Sequence, residues 1–107
     1  MVVFNLNLDG FYDLDGLRTD AQTWTELMES GKNQLHNNKI RGYYVSTVLV
    51  GMPSPFGDGL LNIFESMVFD KKLNEILCKR CDTRRQADFY HGLLLGKMYR
   101  ILVENKK

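Results

Sequence analysis

Hydrophobic residues in this chain recur with two different periods, and the switches between them mark out its elements. Val2, Phe4, Leu6 and Leu8 alternate with polar neighbours, which predicts a strand over 2–8 ended by a turn at Asp9-Gly10. Residues 11–18 read as extended or irregular, with a second turn at Asp15-Gly16. The period then changes. Thr19 and Gln22 form a capping box, and Trp24, Leu27, Met28, Gly31 and Leu35 follow at helical spacing. This predicts a helix over 20–36, closed by Asn37-Asn38. Period two returns over 42–50, with Tyr43, Val45, Thr47 and Leu49 on one face and Tyr44, Ser46, Val48 and Val50 on the other. Both faces are largely apolar, so this strand belongs in the middle of a sheet. Residues 51–59 hold both prolines and form a loop that no ladder can cross. A strand over 60–69 follows, with Leu61, Ile63, Glu65, Met67 and Phe69 on one face; Asp70-Lys71-Lys72 turns the chain into a strand over 75–80. Thr83 and Gln86 repeat the capping box before a helix over 84–104 carrying Ala87, Tyr90, Leu94, Met98 and Ile101 on one face. Gly92 and Gly96, one turn apart, predict close approach of this helix to the sheet.

The element order is β-α-β-β-β-α. Three successive strands form an antiparallel meander, the first strand joins an edge, and both helices cover one face. This is an α+β two-layer sandwich. The 107 residues fit a single domain, 1–107, and the 44% hydrophobic and 25% charged content is that of an ordinary globular chain.

Charge changes the picture in one respect. The net charge is +1, yet residues 1–30 carry six acids against Arg18, while residues 71–107 carry ten bases against four acids. Such asymmetry suits either a charged partner surface or mutual attraction of the two ends in the fold. No apolar run is long enough to span a membrane, and Met1–Asn5 lacks the basic and apolar regions of a signal peptide. We therefore expect a cytoplasmic protein, with Cys78 and Cys81 as free thiols.

Four segments carry a family likeness. V-S-T-V-L-V-G at 45–51, F-G-D-G at 56–59, F-E-S-M-V-F at 64–69, and R-C-D-T at 80–83 followed by Ala87 and His91, resemble a family of small bacteriophage and prophage proteins of unknown function. Members of that family read V-S-T-V-F-L-G, D-H, F-G-x-G-P-P, F-E-T-M-V-F, R-Y-S-T-x-E-E-A and a G-H pair. The likeness covers roughly two-thirds of the chain, including the segment with Trp24. This sequence departs from the pattern at Pro53 and Ser54 (Asp and His in the family), at Leu60 and Leu61 (a proline pair), at Cys81 (Tyr) and at Tyr90 (Gly). The resemblance implies a viral origin and a host-cell cytoplasm, and it carries no activity. Chemistry built on the Asp-His pair would be absent here.

Candidate chemistry is sparse. Cys78-Lys79-Arg80-Cys81 is a lone C-x-x-C without the further ligands that zinc needs, although a helix predicted just after Cys81 would favour a reactive thiolate. Residues three apart on a strand point to opposite faces, which argues against either use. Glu65 and His91 form a candidate polar cluster with Arg80, either an acid–base pair or, for Glu65, an ion pair or a solvent-facing charge on the uncovered sheet face. Lys71, Lys72, Lys79, Arg80, Arg84 and Arg85 crowd the last turn, strand and helix start, with Tyr43 and Tyr44 as candidate stacking rings. Arg84 and Arg85 oppose the helix dipole, which suggests an outside partner or the acidic N-terminal segment. In the loop, Met52 and Phe56 are either interface anchors or, for Phe56, a plug for the core.

The resemblance implies a protein of phage type, and the sparse catalytic signals lead us to expect a non-enzymatic accessory role for it. It would bind a host or phage protein stoichiometrically through Met52, Phe56, Arg80, Arg84 and Arg85, with no cofactor and no metal. Nucleic-acid binding through the basic C-terminal third is the alternative, and an open sheet edge offers a route to a homodimer.

Overall fold

A computed structural model of the protein describes residues 10–53 and 61–104. The strand expected over 2–8, and Phe56 with most of its loop, lie outside these residues. The described elements run β1 (Phe11–Tyr12), β2 (Arg18–Thr19), α1 (Ala21–Glu29), β3 (Gln34–Ile40), β4 (Tyr43–Leu49), β5 (Phe64–Phe69), β6 (Glu75–Cys81) and α2 (Arg84–Glu104). The fold is α+β. β1 and β2 form a small antiparallel ribbon, and β3-β4-β5-β6 form a four-stranded antiparallel meander.

The meander has one more strand than the periodicity predicts, because the first helix stops early. Asp20, not Thr19, caps α1, its carboxylate accepting from Thr23 N at 2.6 Å. Gly31, at φ +75°, ends the helix in the left-handed conformation that favours glycine, and its N–H donates to Met28 O at 3.2 Å. Residues 34–40 then run as edge strand β3. Arg41 (φ 49°) and Gly42 (φ 89°) form the tight turn into β4. At the other end the capping box is made as expected: Gln86 N donates to Thr83 Oγ1 at 3.1 Å, and Thr83 N to Gln86 Oε1 at 3.2 Å.

Register fixes the two faces of the sheet. Val45 pairs with Val68, Thr47 with Ser66 and Leu49 with Phe64, and all six are fully buried. α2 lies across this face and touches all four strands. Its Ala87 packs with Leu49, Phe64 and Cys81, and its Met98 with Val45 and Val68. Leu27 and Met28 of α1 join the first of these clusters, so both helices sit on one side. Trp24 anchors α1 to the end of β4, its indole N–H donating to Val50 O at 3.1 Å.

Gly92 and Gly96 contradict the expected close approach to the sheet. Both are exposed, and a Cβ built at either meets nothing within 4 Å. The helix is held instead by Ala87, His91 and Met98, its buried residues.

Candidate interaction surfaces

Three groups of side chains stand out from the scaffold: a buried polar chain between the layers, the open face of the sheet, and the outward face of α2.

The chain links four residues from four elements, three of them buried and the fourth, Asn38, exposed on the edge strand. Ser66 on β5 and Thr47 on β4 share a hydrogen bond of 2.7 Å, Thr47 Oγ1 lies 2.7 Å from His91 Nδ1, and His91 Nε2 lies 2.8 Å from Asn38 Oδ1 on β3. The Asn38 oxygen can only accept, so Nε2 carries the imidazole proton and Nδ1 accepts from Thr47. Thr47 in turn accepts from Ser66, and the chain has one direction from β5 to β3. Burial pushes the His91 pKa down, the neighbouring His36 ring adds to this, and Asp88 opposes it. The His36 ring lies 4.8 Å from that of His91, and His36 Nε2 lies 2.7 Å from Asp88 Oδ1. Thr47 and Ser66 have no solvent access, so these hydroxyls hold the layers together and offer nothing to a substrate.

Glu65 is not part of this group. It pairs with Arg80 across β5 and β6, Arg80 Nε donating to Glu65 Oε2 at 2.9 Å. Both lie on the sheet face opposite His91, so the expected Glu65–His91 cluster does not form and the ion-pair reading of Glu65 stands. On this open face Tyr44 and Phe69 are direct cross-strand partners, and Lys39 Nζ sits 5.5 Å from the centre of the Tyr44 ring. No described element covers it.

The basic residues are likewise divided by the sheet. Lys79 lies on the helix side, 5.0 Å over the Tyr90 ring, while Arg80 is on the open side. Arg84 and Arg85 head α2, whose first turn holds no acid. Met52 is exposed, and Tyr43 packs toward the core. Of the expected binding residues, then, Arg80 is separated from Arg84 and Arg85.

The cysteines also face opposite ways: Cys78 pairs with Met67 on the open face and Cys81 with Phe64 in the core. Burial, then the charges of Glu65 and Glu75, push the Cys78 thiol up to about 11; burial, then Asp82, push Cys81 to about 11. The helix start after Cys81 does not produce a reactive thiolate. No group of three or more His, Cys, Asp or Glu among the described residues is placed to hold a metal ion. Nor is any described helix long and apolar enough to cross a membrane.

The outward face of α2 is the surface that periodicity overlooked. Phe89 is 63% exposed, Leu93 52% and Tyr99 65%, with Val103 exposed beyond them. Gly92, Leu93, Gly96, Lys97 and Arg100 line a shallow groove of about 470 Å³ along it. The exposed residues were legible as a second apolar stripe, hidden by reading the helix for its core face alone. A smaller cleft of about 290 Å³ opens beside the last turns, where Ile76, Met98 and Ile101 meet Tyr43. Comparison with family models, curated proteins and solved structures finds no match to this chain.

Proposed function

We propose that this protein acts by stoichiometric protein–protein binding, as a small accessory protein of phage or prophage type in a host-cell cytoplasm, and that it docks through the outward face of α2. The observation that carries this reading is the exposure of Phe89, Leu93, Tyr99 and Val103 along one side of one helix. Single exposed apolar side chains are ordinary, whereas an aligned series with two aromatic rings matches what interfaces use as anchors. The phage setting rests on the sequence resemblance. Arg85, one turn before Phe89, belongs to this face; Met52 and Arg80 lie elsewhere and are secondary on this reading. Affinity capture from host lysate tests it: the wild-type chain retains a stoichiometric partner and the Phe89→Glu/Tyr99→Glu variant loses it. Equal capture by both removes the outward face of α2 from the function.

Nucleic-acid binding is the second reading, favoured by the Tyr44–Phe69 pair on the open sheet face with Lys39 beside it. A gel shift with single-stranded oligonucleotides, steeply weakened by moderate salt and lost in Tyr44→Ala, supports it. No shift at low salt discards it.

A further inference from the structure

The geometry points to a second copy of this chain as the occupant of that face, with two α2 helices packed antiparallel and crossing at their glycines. This rests on the reading of α2 as the docking helix.

The outward seam is Arg85, Phe89, Gly92, Gly96, Tyr99 and Val103, at spacings of four, three, four, three and four. That is the a/d repeat of a helix that packs lengthwise against another helix. It runs along the side of α2 opposite its buried residues Ala87, His91 and Met98. Glycine in a helix interior costs stability relative to alanine. Among the described residues nothing offsets that cost, because none of their atoms lies within 4 Å of a Cβ at either position. A second helix would offset it, since two backbones approach most closely where both lack side chains.

The order of residues selects the occupant. Reading outward from the midpoint of Gly92 and Gly96, each direction gives a glycine and then, five positions from the midpoint, an aromatic ring; beyond these the two directions differ, with Arg85 one way and Val103 the other. A two-fold axis at that midpoint sets Gly92 level with Gly96 of the other copy, and Phe89 level with Tyr99. The surface therefore matches itself, as a two-fold interface must. Charge selects the direction. A parallel pair would bring Arg84 and Arg85 of both copies together at two positive helix ends. The antiparallel pair separates them and sets each beside a C-terminal turn, whose dipole is negative.

Sedimentation equilibrium from low to several hundred micromolar is the test. The mass is expected to rise from that of one chain to that of two. Gly96→Leu, and independently Leu93→Glu, is expected to hold the mass at one chain across the same range with unchanged circular dichroism. In a Cys78→Ser/Cys81→Ser background, mixing Phe89→Cys chains with Tyr99→Cys chains is expected to give more disulfide-linked dimer than either alone. A wild-type chain that stays monomeric throughout overturns the self-pairing and leaves the docking face to a different protein, which the lysate capture reads separately. A dimer that survives both substitutions uses another surface and overturns it too. Cross-linking greater in either variant alone overturns the antiparallel order.

Discussion

Thr47 and His91, 44 positions apart in sequence, meet between the two layers with Thr47 Oγ1 2.7 Å from His91 Nδ1. Thr47 lies at the centre of the chain that joins β5, β4, α2 and β3, and it is fully buried. Thr47→Val keeps the shape but leaves Nδ1 of His91 and the Ser66 hydroxyl without their partner. Stranding buried polar groups costs about 1–3 kcal/mol. Urea unfolding is expected to show a loss in that range. Ser66→Ala, which removes only the end of the chain, is expected to cost less.

The same chain makes stability depend on pH. Burial and the His36 ring hold the His91 pKa below the ordinary 6.5, with Asp88 pulling the other way. As pH falls below 6.5 the unfolded chain binds a proton that the folded chain does not. Stability is thus fully present above 6.5 and falls as the pH drops toward the folded-state pKa, with a slope below the one-proton limit of about 1.4 kcal/mol per pH unit. Protonation would also turn Nδ1 into a donor facing the Thr47 hydroxyl. Unfolding midpoints measured from pH 8 to pH 5 are expected to fall for the wild type and to flatten in His91→Gln. An equal slope in both would assign the dependence to other groups.

Gly51 is a position where only glycine fits. Its φ is +75°, and an added Cβ would fall against the Trp24 indole, 2.7 Å from Cδ1, and 3.0 Å from Tyr12 O. The backbone conformation and the contact act together, and neither the carbonyl nor a ring bonded to Val50 O gives way easily. Gly51→Ala is expected to cost about 2–4 kcal/mol, combining left-handed strain with overpacking. Trp24 is the only tryptophan in the chain, so its fluorescence reports both the displaced ring and the lowered unfolding midpoint.

The sequence made the strongly periodic elements legible and obscured those held by polar contacts. β4, β5, β6 and α2 announce themselves through alternating or helical apolar positions. β3 reads Q-L-H-N-N-K-I, a polar run with weak strand propensity. It pairs with β4 along its length, and its inward His36 and Asn38 bond α2 through Asp88 and His91, a relationship invisible without the fold. Counting Gly31 as part of an apolar stripe carried the predicted helix through the residue that stops it. The sides of β5 were obscured by Asn62, whose φ of 52° breaks the extended chain just before the strand. Ile63 and Phe64 are consequently both buried, and the alternation counted from Leu61 does not decide where Glu65 points.

Cys78 offers a check on the electrostatics of the open face. It is exposed, yet its thiol is pushed up to about 11 by burial of its sulfur and by the charges of Glu65 and Glu75, with Arg80 acting the other way. The thiolate is the nucleophile, so a thiol with that pKa alkylates slowly at neutral pH despite its exposure. Iodoacetamide labelling followed by mass spectrometry is expected to modify Cys78 slowly at pH 7.5 and much faster above pH 10. Cys81 is buried and is expected to react only after unfolding. Fast labelling of Cys78 at pH 7.5 would mean that burial of its sulfur and the charges of Glu65 and Glu75 do not raise its pKa.

Gly92 and Gly96 separate what the isolated fold needs from what a partner needs. A Cβ at either position meets no atom within 4 Å, so alanine enters open space on a regular helix. Replacing glycine by alanine in a helix interior stabilises by about 1 kcal/mol, which for a domain of this size raises the thermal midpoint by roughly 4–8 °C. Gly92→Ala, measured at a concentration low enough to keep the chain monomeric, is expected to show that gain. The added methyl also widens the seam between Phe89 and Tyr99, so the same substitution is expected to weaken self-association. A rise in thermal midpoint together with a weaker dimer identifies a glycine kept for contact between molecules. A fall in the midpoint would instead place an unseen contact on that side of the helix within the single chain.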